Sequence, residues 1–244
     1  MSVADFLSAF EADGGVVEER ITGVVLTSPS VQLRALPDGT VELLSTHDQL
    51  LGGASGQKYL GCVFPANAEY AAVIAEPAMV IARHLAQLGV LGRFAVDFVV
   101  VQDETGGWTP YAIELNLRKG GTTHPFLTLQ FLTDGTYDGE RGVFLTPAGN
   151  RKYLVATDFF EDDRLKVLTV AELFDAVVRN GLHFDQSRRV GVVFHMISCL
   201  TERGRVGLTA VGDTPEEAWR IYEDAQSALL REAEEARVEG AVIH

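Results

Sequence analysis

Cysteine is scarce: Cys62 and Cys199 are the two thiols in 244 residues. They stand far apart in apolar surroundings and form no C-x-x-C pair, so a zinc ribbon and a dithiol redox motif are excluded. Two reduced thiols in a cytoplasmic protein are the expectation. Basic residues are few as well, 20 Lys and Arg against 34 Asp and Glu, a formal net charge of −14. No Lys/Arg run interrupts that excess, so a phosphate-coating nucleic-acid partner is not expected. Long hydrophobic runs are missing. The longest uncharged stretch, Gly120 to Thr133, is too short and too polar to span a bilayer, which argues against a membrane partner. The start has no basic n-region and carries Asp5 and Glu11, unlike a secretory signal. Neither G-x-x-x-x-G-K-[ST] nor G-x-S-x-G occurs, which removes the P-loop and the serine-hydrolase elbow. Internal repeats and low-complexity tails are absent too.

What is present is globular: 47% apolar and 22% charged residues. Ser2 to Ala12 reads as a short helix, capped by Ser2 and striped by Phe6, Leu7, Ala9 and Phe10. Val16 to Leu26 reads as a strand. Val31–Ala35 and Thr40–Leu44 read as a hairpin around Pro37-Asp38-Gly39. The Gly-rich stretch from Leu51 to Gly61 predicts a long irregular loop. Asn67 to Leu88 predicts a helix kinked or broken at Pro77 and stopped by Gly89. Two strands follow, Phe94–Val101 and Tyr111–Leu117, then a short helix over Pro125–Leu132 and a mostly irregular stretch from Thr133 to Asn150. Lys152–Thr157 is a strand. Thr169 to Asn180 is a helix with a Thr169/Glu172 capping box. Val190–Leu200 and Gly204–Ala210 form a second hairpin. Thr214 caps a terminal helix whose apolar face is Ala218, Ile221, Tyr222, Ala225 and Leu229. The mixture is α+β.

The chemistry concentrates in Gly92 to Val101 and Tyr111 to Arg118. Alternation puts Glu114, Asn116 and Arg118 on one face of the second strand and Ile113, Leu115 and Leu117 on the other, toward a core. A hairpin centred on Gly106-Gly107 sets Asp97 opposite Asn116 and diagonal to Glu114. Two carboxylates and an amide supply the hard oxygen donors that Mg²⁺ prefers, and the arginine suits a phosphate. The same spacing also fits a solvated polar sheet face, and alternation alone leaves both readings open. Thr46-His47-Asp48 reads as a substrate-binding group or as a turn and capping pair. His124 reads as a group near an acyl acceptor or as an exposed loop histidine. His195, inside an apolar strand, reads first as a core histidine.

Val-Asp-Phe (96–98) followed by Ile-Glu-Leu-Asn-Leu-Arg (113–118) resembles the metal-binding end of the ATP-grasp carboxylate–amine ligases. Ser45–Gly53, Gly61–Ala66 and Gly191–His195 resemble the pheganomycin-type peptide ligases within that family. The resemblance implies an ATP-grasp C-terminal subdomain, an antiparallel sheet with flanking helices, followed by a small α+β C-terminal domain. It divides the chain into residues 1–132 (metal- and nucleotide-binding half), 133–180 (connection) and 181–244 (small domain). It implies ATP and Mg²⁺ as cofactors, with Asp97, Glu114 and Asn116 on the metal and Arg118 assisting phosphoryl transfer. Thr46, His47, Asp48 and His124 fall on the substrate side. Val16–Ile21 resembles the hinge strand that contacts adenine, which makes Glu18, Glu19 and Ile21 nucleotide-contacting positions. The implied reaction joins a carboxylate to an amine through an acyl phosphate. The family places a substrate domain and a lysine-bearing lid ahead of the hinge, where this chain has 15 residues. The module is therefore expected to be incomplete, and inactive as an isolated chain, without a substrate domain and lid, and a homo-oligomer or a separate lid-bearing chain is an expected partner beside the two small-molecule or peptide substrates. A non-catalytic binding or assembly module derived from such a ligase is the alternative.

Overall fold

The computed structural model describes residues 2–54 and 56–242, the last four of these by their backbone alone. Eleven strands and six helices lie in the order α1 (Val3–Asp13), β1 (Val25–Thr27), β2 (Pro29–Ala35), β3 (Val41–Gly52), β4 (Lys58–Phe64), α2 (Ala68–Gln87), β5 (Gly92–Gln102), β6 (Trp108–Asn116), α3 (Thr123–Thr133), β7 (Thr136–Asp138), β8 (Val143–Leu145), β9 (Tyr153–Glu161), α4 (Val170–Arg179), β10 (Gly191–His195), α5 (Leu200–Arg203), β11 (Arg205–Gly212) and α6 (Pro215–Val242) among the described residues. Nine strands make one sheet, entirely antiparallel. Starting from edge strand β6 the order is β6, β5, then β1 and β2 sharing the far side of β5, then β3, β4, β9, β11 and β10. Strands β7 and β8 form a separate ribbon. The α+β class holds.

Alternation decides where the core sits. Val31 and Leu33 on β2 and Phe94, Val96, Phe98 and Val100 on β5 point to one face, where Ile74, Ala78 and Ala82 of α2 cover them. Each large side chain so buried contributes about 1.5–3 kcal/mol. Helix α2 runs unbroken through Pro77, so of the expected kink or break the break does not occur. On the opposite face, Phe126 and Leu129 of α3 pack on Cys62, Phe64, Leu154 and Ala156. At the far end, Ile221 and Ala225 of α6 cover Leu208 and Ala210 of β11, and Leu229 joins Leu165, Leu173 and Val206. Ser2 caps α1 and the Thr169/Glu172 capping box forms, as expected; at Ser2 the Asp5 carboxylate adds a reciprocal bond that completes a box there too.

Several elements depart from their sequence signals. The strand expected over Val16–Leu26 shrinks to Val25–Thr27; residues 14–23 carry no regular structure, and Val16 and Val17 are 81% and 86% exposed with no strand beside them. Helix α1 forms, but its apolar stripe meets no core. The loop expected over Leu51–Gly61 is mostly strand, because β3 and β4 pair down to Gly52↔Lys58 and leave only a short connection, of which Ser55 lies outside the described residues. Strand β10 stops at His195, and a short 3-10 turn and α5 lead into β11 in place of a simple hairpin. Ile113, Leu115 and Leu117 do not enter a core. Strand β6 is an edge strand, and these three side chains are 43–54% exposed.

Candidate active site

The β5–β6 hairpin is tied at its turn by Asp103. Its carboxylate accepts from the backbone N–H groups of Thr105 (2.7 Å) and Gly107 (2.9 Å), while its own N–H donates to the Gly107 carbonyl. From that anchor the ladder runs Gln102↔Trp108 to Phe98↔Ala112, then slips by one residue at a bulge between Asp97 and Phe98. Beyond the slip Asp97 faces Glu114, and Asn116 faces Ala95. Beyond the slip the expected pairing of Asp97 with Asn116 is thus two residues out, which leaves Glu114 and Asn116 on the expected face, whereas Trp108 to Ala112, before the slip, are turned over.

Three of the four expected phosphate-side residues converge. Asn116 Nδ2 donates to Asp97 Oδ2 (3.0 Å), and Glu114 sits directly across the ladder. The guanidinium of Arg118, just past the strand, hydrogen-bonds the Lys119 carbonyl (3.3 Å), but its charge still reaches Asp97. Behind them is a polar layer with no motif of its own. Ser30 Oγ donates to Asp97 Oδ1 (2.6 Å), Gln32 Nε2 donates to Ser30 Oγ (3.0 Å), and Gln49 hydrogen-bonds Asp97. The signal for Ser30 and Gln32 was their alternation with buried Val31 and Leu33, which puts them on the face of Asp97. Burial pushes the Asp97 carboxyl above its usual range. Ser30, Gln49 and Arg118 oppose that shift, and the charge of Glu114 adds to it. A like-charged pair of carboxylates across one ladder, with an amide alongside, is an oxygen donor set that a hard divalent cation fits and whose repulsion it relieves.

The other expected positions lie elsewhere. Thr46, His47 and Asp48 are on β3. Thr46 Oγ1 hydrogen-bonds Tyr137 Oη (2.6 Å), and His47 is fully buried against Phe64 and Phe126 with Nε2 on Ser45 Oγ (2.9 Å). Asp48 accepts from the Asn67 N–H at the start of α2 (3.0 Å) and from Tyr70 Oη (2.7 Å). Burial holds His47 neutral down to a pKa of about 3. Glu18, Glu19 and Ile21 lie in the irregular segment before β1, which pairs with β5 at Val100–Gln102, three positions along from Asp97.

His124 is exposed on the first turn of α3, and its ring centroid is 4.4 Å from that of His195. His195 in turn is 2.7 Å from Asp158 through Nε2. Tyr59 stands between this group and the first. Gly121, in the loop leaving β6, passes so close to the Tyr59 ring that a Cβ there would lie 2.7 Å from it. Burial, with Cys62 beside it, pushes the Tyr59 phenol well up, and the charges of both Asp158 and Asp97 add to the shift.

A family model described as "IQCH-like, ATP-grasp" matches residues 2–140, and one described as "PGM1 C-terminal domain" matches residues 172–225. The L-propargylglycine–L-glutamate ligase of Streptantibioticus cattleyicolor is 32% identical over 219 residues, covering 90% of this chain and 44% of that protein. The IQ motif-containing protein H of Danio rerio is 24% identical over 243 residues, covering 98% of this chain and 23% of that protein. The chain therefore spans less than half the length of these relatives. Among solved structures, the N5-carboxyaminoimidazole ribonucleotide synthetase of Thermus thermophilus superposes with a TM-score of 0.53 at 15% identity, covering 94% of this chain and 57% of that one. An ADP complex of an enzyme of the same name gives 0.52 at 16% identity, covering 96% and 57%. At such identities the structures speak for the fold alone. The family model spans more than half of the residues, including the strand pair that carries Asp97, Glu114 and Asn116, and the chain belongs to the ATP-grasp family.

Proposed function

We propose that this chain is the metal- and phosphate-binding part of an ATP-dependent carboxylate–amine ligase of the peptide-ligase type. The observation that carries the reading is the Asp97–Glu114 pair with Asn116 on it, a donor set suited to Mg²⁺. Mg·ATP, when bound, would supply the phosphoryl group that activates a carboxylate as an acyl phosphate. In this reading Asp97 and Glu114 provide carboxylate oxygens, Asn116 fixes the Asp97 carboxylate, and Ser30 and Gln49 hold it from behind. Arg118, at the strand end, offsets charge on the transferring group once it swings off the Lys119 carbonyl. Glu18, Glu19 and Ile21 lie at the adenine, with Thr46, His47, Asp48 and His124 on the substrate side, the first three supporting it from the interior.

Residues 1–132 form the nucleotide half, 133–180 a connection and 181–244 an added domain, with the single sheet running through all three. The substrates are amino-acid-like carboxylates and amines, in line with the name of the Streptantibioticus relative. No helix among the described residues is long and apolar enough to cross a membrane, and the two free thiols fit a cytoplasmic setting.

A second reading, a non-catalytic assembly module, draws on the exposed apolar row of edge strand β6, which together with the segment before β1 is also where a second copy or a lid-bearing chain would seat. Calorimetry of Mg·ATP with the chain and its Glu114→Gln variant separates the two readings. Binding that the variant loses supports the ligase part, and equal affinity in both removes it.

A further inference from the structure

Strand β9 carries a bulge where its register with β11 slips. Thr157 pairs with Leu208 and Phe160 with Val206, so Asp158 and Phe159 both stand opposite Gly207. On the other side of β11, Gly207 pairs with His195. The His195 imidazole lies across the bare Cα of Gly207 and reaches Asp158 on the far strand, Nε2 to Oδ1 at 2.7 Å. A Cβ at Gly207 would fall on the imidazole itself. Three strands are thus adapted to one contact: a bulge turns out the carboxylate, a glycine clears the path, and β10 ends at the histidine. Arg205 fixes the bulge from below, its Nε donating to the Asp158 carbonyl (2.9 Å).

Packing does not call for this. A carboxylate partner makes Nε2 the protonated nitrogen, which leaves Nδ1 as an acceptor; Nδ1 is buried, and no partner reaches it among the described residues. An apolar side chain would fill the position without an orphaned atom. The exposed face of His195 is instead covered by His124, six residues beyond Arg118 on the loop that leaves the Asp97–Glu114–Asn116 cluster. The Tyr59 phenol feels the charge of an aspartate in each cluster, and Gly121 passes against its ring.

We propose that His124 is the proton acceptor for the incoming amine, and that His195 and Asp158 are the positioning residues that hold it there. The inference rests on the ligase reading above. The amine nitrogen forms the C–N bond to the acyl-phosphate carbon, the C–O bond to phosphate breaks with its electron pair leaving on phosphate, and one N–H proton passes to the free nitrogen of His124. Asp158, behind His195, balances the imidazolium so formed. The partial burial of His124, with His195 adjacent, keeps its ring neutral and able to accept a proton, while Asp158 pulls the other way. The ligand class is a primary amine of the amino-acid or peptide kind.

Two measurements test it. In the first, imidazole NMR of the full chain is followed during titration with glycinamide. Saturable shifts of both His124 and His195 are expected, with affinity at least tenfold weaker in His124→Gln and in Asp158→Asn. Unmoved imidazole signals, or equal affinity in parent and variants, overturn the proposal. In the second, the ligase is supplied with Mg·ATP and a carboxylate, with either glycinamide or hydroxylamine as acceptor. Hydroxylamine is already neutral at pH 7, and its weakly basic nitrogen loses its proton to water after attack, so it depends far less on a base than glycinamide does. For His124→Gln the ratio of amide to hydroxamate should fall about 100-fold, the usual scale of general-base assistance. The loss should shrink as the pH approaches the amine's own pKa. A ratio that stays constant overturns the proposal. Absence of hydroxamate with the unaltered protein would instead refute carboxylate activation by this chain on its own, and the glycinamide titration would still decide the amine site.

Discussion

Asp97 and Glu114 face each other directly across the β5–β6 ladder, one residue beyond a bulge, with Asn116 donating to Asp97 from the diagonal position. Like-charged carboxylates at paired positions destabilise a sheet unless something offsets them. Ser30, Gln49 and Arg118 do so in part. A divalent cation would do so fully.

Removing one charge of that pair should show in the other. In Glu114→Gln the Asp97 carboxyl should titrate at lower pH than in the parent, since the Glu114 charge raises it. Mg²⁺ should stabilise the parent against heat and leave the variant unmoved; a ligand at about 100 times its dissociation constant adds about 2.7 kcal/mol. Carboxyl NMR and thermal melts with and without Mg²⁺ read both effects. An unshifted Asp97 would mean that Glu114 does not sense it.

His47 makes the fold acid-sensitive. Its folded pKa of about 3 lies below the ordinary value of 6.5, so the unfolded chain binds the proton first. Its contribution is fully present above pH 6.5 and is lost as the pH falls toward 3, at about 1.4 kcal/mol per unit. Urea unfolding at pH 6.5 and pH 5 should therefore differ by about 2 kcal/mol from this group alone. A His47→Gln variant should be less stable at neutral pH, with the histidine's share of the slope gone. An identical slope in the variant would assign the acid sensitivity to other groups.

Gly207→Ala should cost about 1–3 kcal/mol, the usual range for overpacking, because the added methyl occupies the place of the His195 ring. The NMR signature of Nε2 protonation at His195 should vanish with it. Unchanged stability and an unchanged signature would show that the ring has room to give way.

Truncation before Thr214 removes the cover over Leu208 and Ala210, both fully buried beneath α6. The truncated chain should aggregate, as light scattering and size-exclusion chromatography would show. A monodisperse, cooperatively unfolding product would make α6 an appendage.

Local chemistry was legible wherever neighbours in sequence decide the outcome. The Ser2 cap, the Thr169 capping box, the Gly39 and Gly106 turns and the alternation that separates Asp97, Glu114 and Asn116 from their apolar neighbours all depend on residues within a few positions of one another. The family resemblance was legible for the same reason, since its motifs are short and lie on one hairpin.

What needed the tertiary structure is whatever depends on distant pairing. The turn at Gly106 does not disclose the β5–β6 bulge, which shifts the register between Asp97 and Phe98. A strand pattern over residues 16–24 finds no neighbour and stays irregular, while the Gly-rich stretch after Leu51 finds one and becomes strand. Ile113, Leu115 and Leu117 alternate as a core face should, yet lie on the edge strand and its end, where they stay 43–54% exposed. The Asp158–His195 pair has no local signal at all, because its two residues come from strands that never touch and meet only over the glycine between them.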